Sequence, residues 1–140
     1  MTKNKQVEGF DFANIKSKSA ELKIMHPGTG DFTGLVLTVI GTGSDPMKKV
    51  IAEIDKQRQK LLMRRKQFTT EQVDENQMRL YIASVIDWNW GFDDEGNQSH
   101  FRHEQPEFSK KAFRELLVEA PFIKTQLDEM LSVDGNFFPG

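Results

Sequence analysis

The hydrophobic pattern changes its period once along the chain, and this change restricts the fold more than any other feature. Residues 20–26 alternate apolar and polar side chains, which is typical of a half-buried strand. Turn-forming residues follow at 27–31, and residues 32–40 are rich in β-branched side chains. From residue 45 onward the apolar residues recur at helical spacing. We therefore predict an α+β fold, with an N-terminal β-hairpin over residues 20–43 packed on a mainly α-helical domain of about four helices.

Helix-start residues divide the helical part of the chain into segments. An N-cap aspartate, Asp45, followed by proline predicts a basic helix over residues 45–68. A central helix is predicted over residues 70–88, because its second half is apolar on nearly every side. A C-terminal helical pair is predicted over residues 109–135, with Ser109 as the N-cap of its first helix.

Length and composition limit the number of domains and the class of protein. A chain of 140 residues predicts a single domain, which we place at residues 20–140, and the polar stretch at residues 1–19 predicts a flexible arm. No apolar run approaches the roughly 18 residues that a membrane span requires, so no membrane partner is expected. The first residues lead into no apolar block, which argues against a secretory signal.

Charge is distributed unevenly. Residues 46–66 carry eight basic and two acidic side chains, whereas residues 67–140 carry six basic and fourteen acidic ones. The basic stretch at residues 48–66 therefore suits nucleic acid, a solvated face or a second copy of the chain, and we favour the last two because no aromatic residues interleave with the bases. Arg58 and Arg65 interrupt a heptad-like apolar series, where they are expected to meet acids on a partner chain or on the fourth helix.

Residue patterns typical of catalysis or metal binding are incomplete in this chain. It contains no cysteine and no serine nucleophile elbow, so we predict a protein that is not an enzyme and has no cofactor. His100 and His103 lack a third ligand of fixed geometry, and the acids of residues 93–97 run consecutively instead of alternating as in a calcium loop. No metal site is therefore predicted.

Aromatic residues cluster late in the chain, at residues 88–101 and at its end. Trp88 is expected in the core, whereas the other aromatic residues either pack there too or form an exposed patch that binds a protein partner. With the two arginines, the candidate partner-binding residues are Arg58, Arg65, Trp88, Trp90, Phe92, Phe137 and Phe138.

The second half of the chain carries an ordered series of short motifs. Ser44 to Met47 and a charged helix precede this series, whose segments are residues 82–91, 93–96, 106–109, 116–117, 121–123 and 136–137. Over roughly residues 20–138 this order resembles the tail assembly chaperones of long-tailed, siphophage-type bacteriophages.

The resemblance implies a role without catalysis. Members of that family bind the tape measure protein, keep it soluble, help to recruit tail tube protein and leave before the particle is finished. It therefore implies a protein of the host bacterial cytoplasm that is absent from the mature virion. Two alternatives remain open: a structural or connector protein that stays in the virion, and a nucleic-acid-binding protein that uses residues 48–66.

Overall fold

The computed structural model describes residues 18–138, and this part of the chain forms a three-stranded antiparallel sheet and four α-helices. The α+β class, with an N-terminal hairpin and four helices, is therefore confirmed. The arm predicted for residues 1–19 falls largely outside the described residues. In chain order the elements are β1 (Ala20–Met25), β2 (Phe32–Val39), α1 (Asp45–Met63), α2 (Thr70–Ser84), β3 (Val85–Trp90), α3 (Lys110–Glu119), α4 (Phe122–Leu131) and a short 3-10 helix (Asp134–Phe137).

The sheet has the order β1-β2-β3, and one of its faces covers the core. Leu37 lies between Leu22 of β1 and Trp88 of β3 in the register, and all three belong to the core or pack against it. Helices α2, α3 and α4 cover this face, contributing core residues such as Phe113 and Leu127. The sheet therefore supplies one layer of the domain and the helices supply the other.

The close contact between β2 and β3 depends on a glycine. Gly34 has a φ of +99°, and a Cβ at this position would lie 2.7 Å from the carbonyl oxygen of Gly91. The backbone N–H of Gly91 in turn donates to the carbonyl oxygen of Gly34 at 2.9 Å. Both the backbone conformation and the spacing therefore require a residue without a side chain at position 34.

Helix starts agree with the sequence prediction more closely than helix ends. The side-chain oxygens of Thr69 and Ser109 each accept a backbone N–H at the start of α2 and α3, and the predicted Ser109 cap is confirmed. Helix α1 begins at Asp45, but its N-cap is Ser44, not Asp45. The last α-helix ends at Leu131, short of the predicted boundary at residue 135.

The prediction of one central helix over residues 70–88 is wrong beyond Ser84, because the chain enters strand β3 there. The side-chain ammonium of Lys110 donates to the carbonyl oxygens of Ile82 at 2.8 Å and Val85 at 2.7 Å. These carbonyls lie where α2 ends, so a lysine from α3 satisfies them in place of a further helical turn. Burial of this ammonium lowers the pKa of Lys110 from its ordinary value.

The basic helix also ends earlier than predicted, at Met63 instead of residue 68. The backbone N–H groups of Arg65 and Lys66 donate to the carbonyls of Leu62 and Leu61, at 2.9 and 2.8 Å. This is the hydrogen-bond pattern of a Schellman motif, in which the first residue beyond the cap is usually glycine. Here that residue is Arg65, with a φ of 55°.

We expect the Arg65→Gly substitution to raise the free energy of unfolding by about 0.5–1 kcal/mol, since glycine adopts this left-handed conformation without strain. Urea denaturation followed by circular dichroism measures the change. The matched control is Arg64→Gly, because Arg64 has a φ of -96° and its replacement relieves no strain. A destabilised Arg65→Gly protein would show that the guanidinium contributes more than its backbone conformation costs.

Candidate partner-binding groove

An open apolar groove lies where the sheet meets the junction of α3 and α4. Its volume is about 420 Å³, within the usual range for sites that bind small molecules or a few side chains of a partner. Both β2 and β3 contribute to its floor, and the loop after β3 forms one wall. We call it the Trp90 groove; its main apolar lining residues are Ile24, Leu35, Trp90, Phe101, Leu116 and Phe122.

The two tryptophans of β3 have different environments. Trp88 is 8% exposed and its indole N–H donates to the carbonyl oxygen of Pro106 at 2.8 Å, so it is a core residue as predicted. Trp90 is half-buried and its ring meets that of Trp88 edge to face, with centroids 5.2 Å apart. Trp88 thus supports the ring of Trp90, which lines the groove.

The loop that carries Phe101 is fixed to its surroundings by polar contacts. The hydroxyl and the backbone N–H of Ser99 both donate to the carbonyl oxygen of Gly91, each at 2.8 Å. Arg102 forms an ion pair with Glu119 of α3, and this hydrogen bond raises the pKa of Arg102. The guanidinium of Arg102 also lies 4.8 Å from the centre of the Phe101 ring. The groove wall is therefore held in place before a partner binds.

The polar residues near the groove form a turn and a histidine pair. The carboxylate of Asp93 accepts the backbone N–H groups of Glu95 at 3.0 Å and Asn97 at 2.8 Å, as in a tight polar turn. The rings of His100 and His103 stack with centroids 5.4 Å apart. Between residues 18 and 138 no group of three or more histidine, cysteine or acidic side chains is arranged to hold a metal ion.

The structure separates the candidate aromatic residues into buried and exposed ones. Phe137 is 2% exposed and belongs to the core, as does Trp88, so neither side chain forms part of a surface patch. Phe92 is 63% exposed and Phe138 is 37% exposed. Of the predicted aromatic residues, Trp90 lines the groove, and Phe92 remains on the surface after β3.

The side chains of Arg58 and Arg65 do not reach the fourth helix. The guanidinium of Arg58 bonds the carboxylate of Asp55 on its own helix at 2.6 Å and lies 5.6 Å from the centre of the Phe68 ring. Arg65 lies beyond the end of α1. The prediction that these arginines meet acids on the fourth helix is therefore wrong among residues 18–138, whereas the alternative, acids on a partner chain, stays a prediction.

Comparison of the chain with protein-family models, with curated proteins and with solved structures finds no match. In the described part of the chain, no helix is long and apolar enough to cross a bilayer. Function must therefore be inferred from the groove, from the charged surfaces and from the order of the motifs.

Proposed function

We propose that this chain is a non-catalytic tail assembly chaperone of a long-tailed phage, which binds the tape measure protein and keeps it soluble. It then acts in the host bacterial cytoplasm, helps to recruit tail tube protein and leaves before the virion is complete. It is not an enzyme in this proposal, and its work is to cover apolar surface on its client.

One observation carries the proposal. Three of the segments that resemble the family are separate in sequence, and each contributes at least one side chain to the same groove. Trp90 comes from residues 82–91, Leu116 from residues 116–117 and Phe122 from residues 121–123. Leu116 is 5% exposed and also belongs to the core, whereas Trp90 and Phe122 are half-buried, so members of the motif series meet at this surface groove as well as in the core.

The groove suits the apolar face of a helix. A volume of about 420 Å³ accommodates a few large side chains, such as those that a helix presents at positions i, i+3 and i+4. The tape measure protein is expected to be a long, aggregation-prone helical chain, and several copies of a small chaperone binding along it would cover its apolar stripe. Each copy then needs only a modest interface.

Co-expression with the tape measure protein of the same phage tests the proposal. We expect the client to stay soluble with the wild-type chain and to aggregate with Phe122→Ser or His100→Glu. The first substitution removes an apolar contact, and the second places a charge at an exposed position of the groove. The matched control is Val133→Ser, since Val133 is 51% exposed and lies outside the groove.

Circular dichroism first verifies that each variant is folded. A client equally soluble with and without this chain contradicts the proposed function. If the wild-type chain and both groove variants solubilise the client equally well, the groove is not the binding site, but the proposed function stands.

Nucleic-acid binding through residues 48–66 is the second candidate, because most cations of this segment have no acidic partner among residues 18–138. It predicts DNA binding that weakens steeply as salt rises. A flat gel-shift titration at low salt removes it. The third candidate, a protein retained in the virion, predicts that mass spectrometry of purified particles finds this chain.

A further inference from the structure

The C-terminal end of α1 presents two exposed apolar side chains, one of which, Met63, is the most exposed large hydrophobic residue among residues 18–138. Met63 is 87% exposed and Leu62 is 58% exposed, whereas Met47 and Ile54 of the same helix are buried. Three cations follow them directly and make no ion pair with residues 18–138. We call this surface the hairpin tip; its residues are Leu62, Met63, Arg64, Arg65 and Lys66.

A second surface has the opposite charge. Phe92, which is 63% exposed, leads into the acidic turn at residues 93–95. This turn and the β1–β2 turn enclose a further open groove of about 400 Å³, which includes Asp31 and has Phe32 in its lining. We call this surface the Phe92 face; its residues are Asp31, Phe32, Phe92, Asp93, Asp94 and Glu95.

The two surfaces are complementary, because each combines apolar side chains with charged ones and the charges have opposite signs. The hairpin tip places two exposed apolar side chains beside basic charges, and the Phe92 face places the exposed Phe92 and the half-buried Phe32 beside acidic ones. The acids of the Phe92 face make no ion pair with residues 18–138, and neither do the three cations of the hairpin tip. Apolar contact surrounded by opposite charges is the arrangement that gives protein interfaces both affinity and correct orientation.

We propose that the hairpin tip of one copy of this chain docks on the Phe92 face of a second copy. Because two different surfaces meet, the contact is head-to-tail: one copy keeps a free Phe92 face, the other keeps a free hairpin tip, and further copies can add at both ends. A bare phosphate backbone would match the three cations but would leave Met63 and Leu62 in water. The proposal concerns copies of this chain alone and does not depend on the tape measure protein.

The conformation of Arg65 supports a role for the hairpin tip in binding. Its left-handed backbone, at a φ of 55°, costs free energy that glycine would avoid. The residue at this position is nevertheless an exposed arginine, two residues after Met63 in the chain. Strained backbone positions cluster at functional sites, so the strain at this exposed position supports the hypothesis that the Arg65 side chain takes part in binding.

Sedimentation velocity over a range of concentrations tests the proposal with three variants. We expect Leu62→Ser with Met63→Ser, which alters only the tip, and Phe92→Ser, which alters only the face, each to weaken self-association at least tenfold. The matched control, Val118→Ser, replaces a side chain that is 64% exposed on α3 and belongs to neither surface. It should associate like the wild-type chain.

A mixture of the two defective variants gives the most specific result. The tip variant keeps an intact Phe92 face and the face variant keeps an intact tip, so the mixture should form one-to-one dimers that grow no further. Association of the wild-type chain should also weaken as salt rises from 0.05 M to 0.5 M, roughly, because the charges are exposed.

Several outcomes overturn the proposal. A wild-type chain that remains monomeric at the highest soluble concentration does so, as does a Val118→Ser variant that is as defective as the other two. A mixture that stays monomeric excludes head-to-tail docking and indicates a symmetric contact instead. Association that appears only when DNA is added would assign the cations of the tip to nucleic acid.

Discussion

Replacing Phe137 by alanine is expected to lower the free energy of unfolding by about 3–5 kcal/mol, the usual cost of deleting a fully buried phenylalanine. Its ring is 2% exposed and belongs to the core, and its carbonyl oxygen accepts the backbone N–H of Lys18 at 2.7 Å. The adjacent Phe138 is 37% exposed, so Phe138→Ala should cost less than about 1 kcal/mol. Urea denaturation of the two variants, followed by circular dichroism, compares these costs directly.

A second substitution tests the packing around the same ring. A Cβ on Gly41 would lie 2.9 Å from atoms of the Phe137 ring, so Gly41→Ala should also be destabilising. Replacing the ring by the smaller leucine side chain, in a Gly41→Ala, Phe137→Leu double variant, should recover part of the free energy of unfolding that Gly41→Ala loses. A double-mutant cycle detects this recovery as a coupling between the two positions. Equal costs for Phe137→Ala and Phe138→Ala would instead place Phe137 at the surface.

The parts of the fold that the sequence predicts are those encoded by neighbouring residues. The hairpin follows from alternation and turn formers within residues 20–43, and Ser109 lies three residues before the N–H that it caps. The physical interactions that form these features span only a few residues. Their patterns are therefore visible without knowledge of the tertiary structure.

The sequence pattern does not predict strand β3, because the interaction that ends α2 comes from a residue distant in sequence. Lys110 binds the carbonyl of Val85 from 25 residues away, and no glycine or asparagine marks the end of the helix. We predicted a helix because the segment is apolar on nearly every side, but a short apolar run of this kind is also compatible with a buried strand. Only contact with β2, where Trp88 pairs with Leu37, decides in favour of the strand.

The candidate site was predicted in part, for the same reason. The clustering of aromatic residues in the sequence predicts Trp90 and Phe92 as candidates, but it does not separate Phe137 from Phe138, which are adjacent in sequence and are 2% and 37% exposed. The other residues of the Trp90 groove come from five separate parts of the chain, so no local pattern joins them. Leu61 and Leu62 are likewise adjacent near the end of α1, yet Leu61 is half-buried and Leu62 is 58% exposed.

Titration of Tyr81 is the second prediction with a large expected effect. Burial of the phenol, and then its hydrogen bond to the carboxylate of Asp128 at 2.8 Å, raise the pKa of Tyr81 from an ordinary value of 10.0 to about 12. It is the single tyrosine of the chain, so absorbance at 295 nm during an alkaline titration reports this group alone. We expect a midpoint near 12 in the folded protein and near 10 in urea.

The same shift makes stability depend on pH in a defined direction. Because the folded state holds the phenolic proton more tightly than the unfolded state does, its contribution is complete below pH 10 and is lost as pH rises towards 12. A difference of two pKa units corresponds to about 2–3 kcal/mol, so the free energy of unfolding should fall by that amount across this interval.

Tyr81→Phe should abolish this dependence of stability on pH. Asp128→Asn should move the midpoint only part of the way to 10, because burial, the larger cause of the shift, remains. A midpoint near 10 in the folded wild-type protein would mean that the phenol lies in water, and α2 could not then pack on α4 through this hydrogen bond.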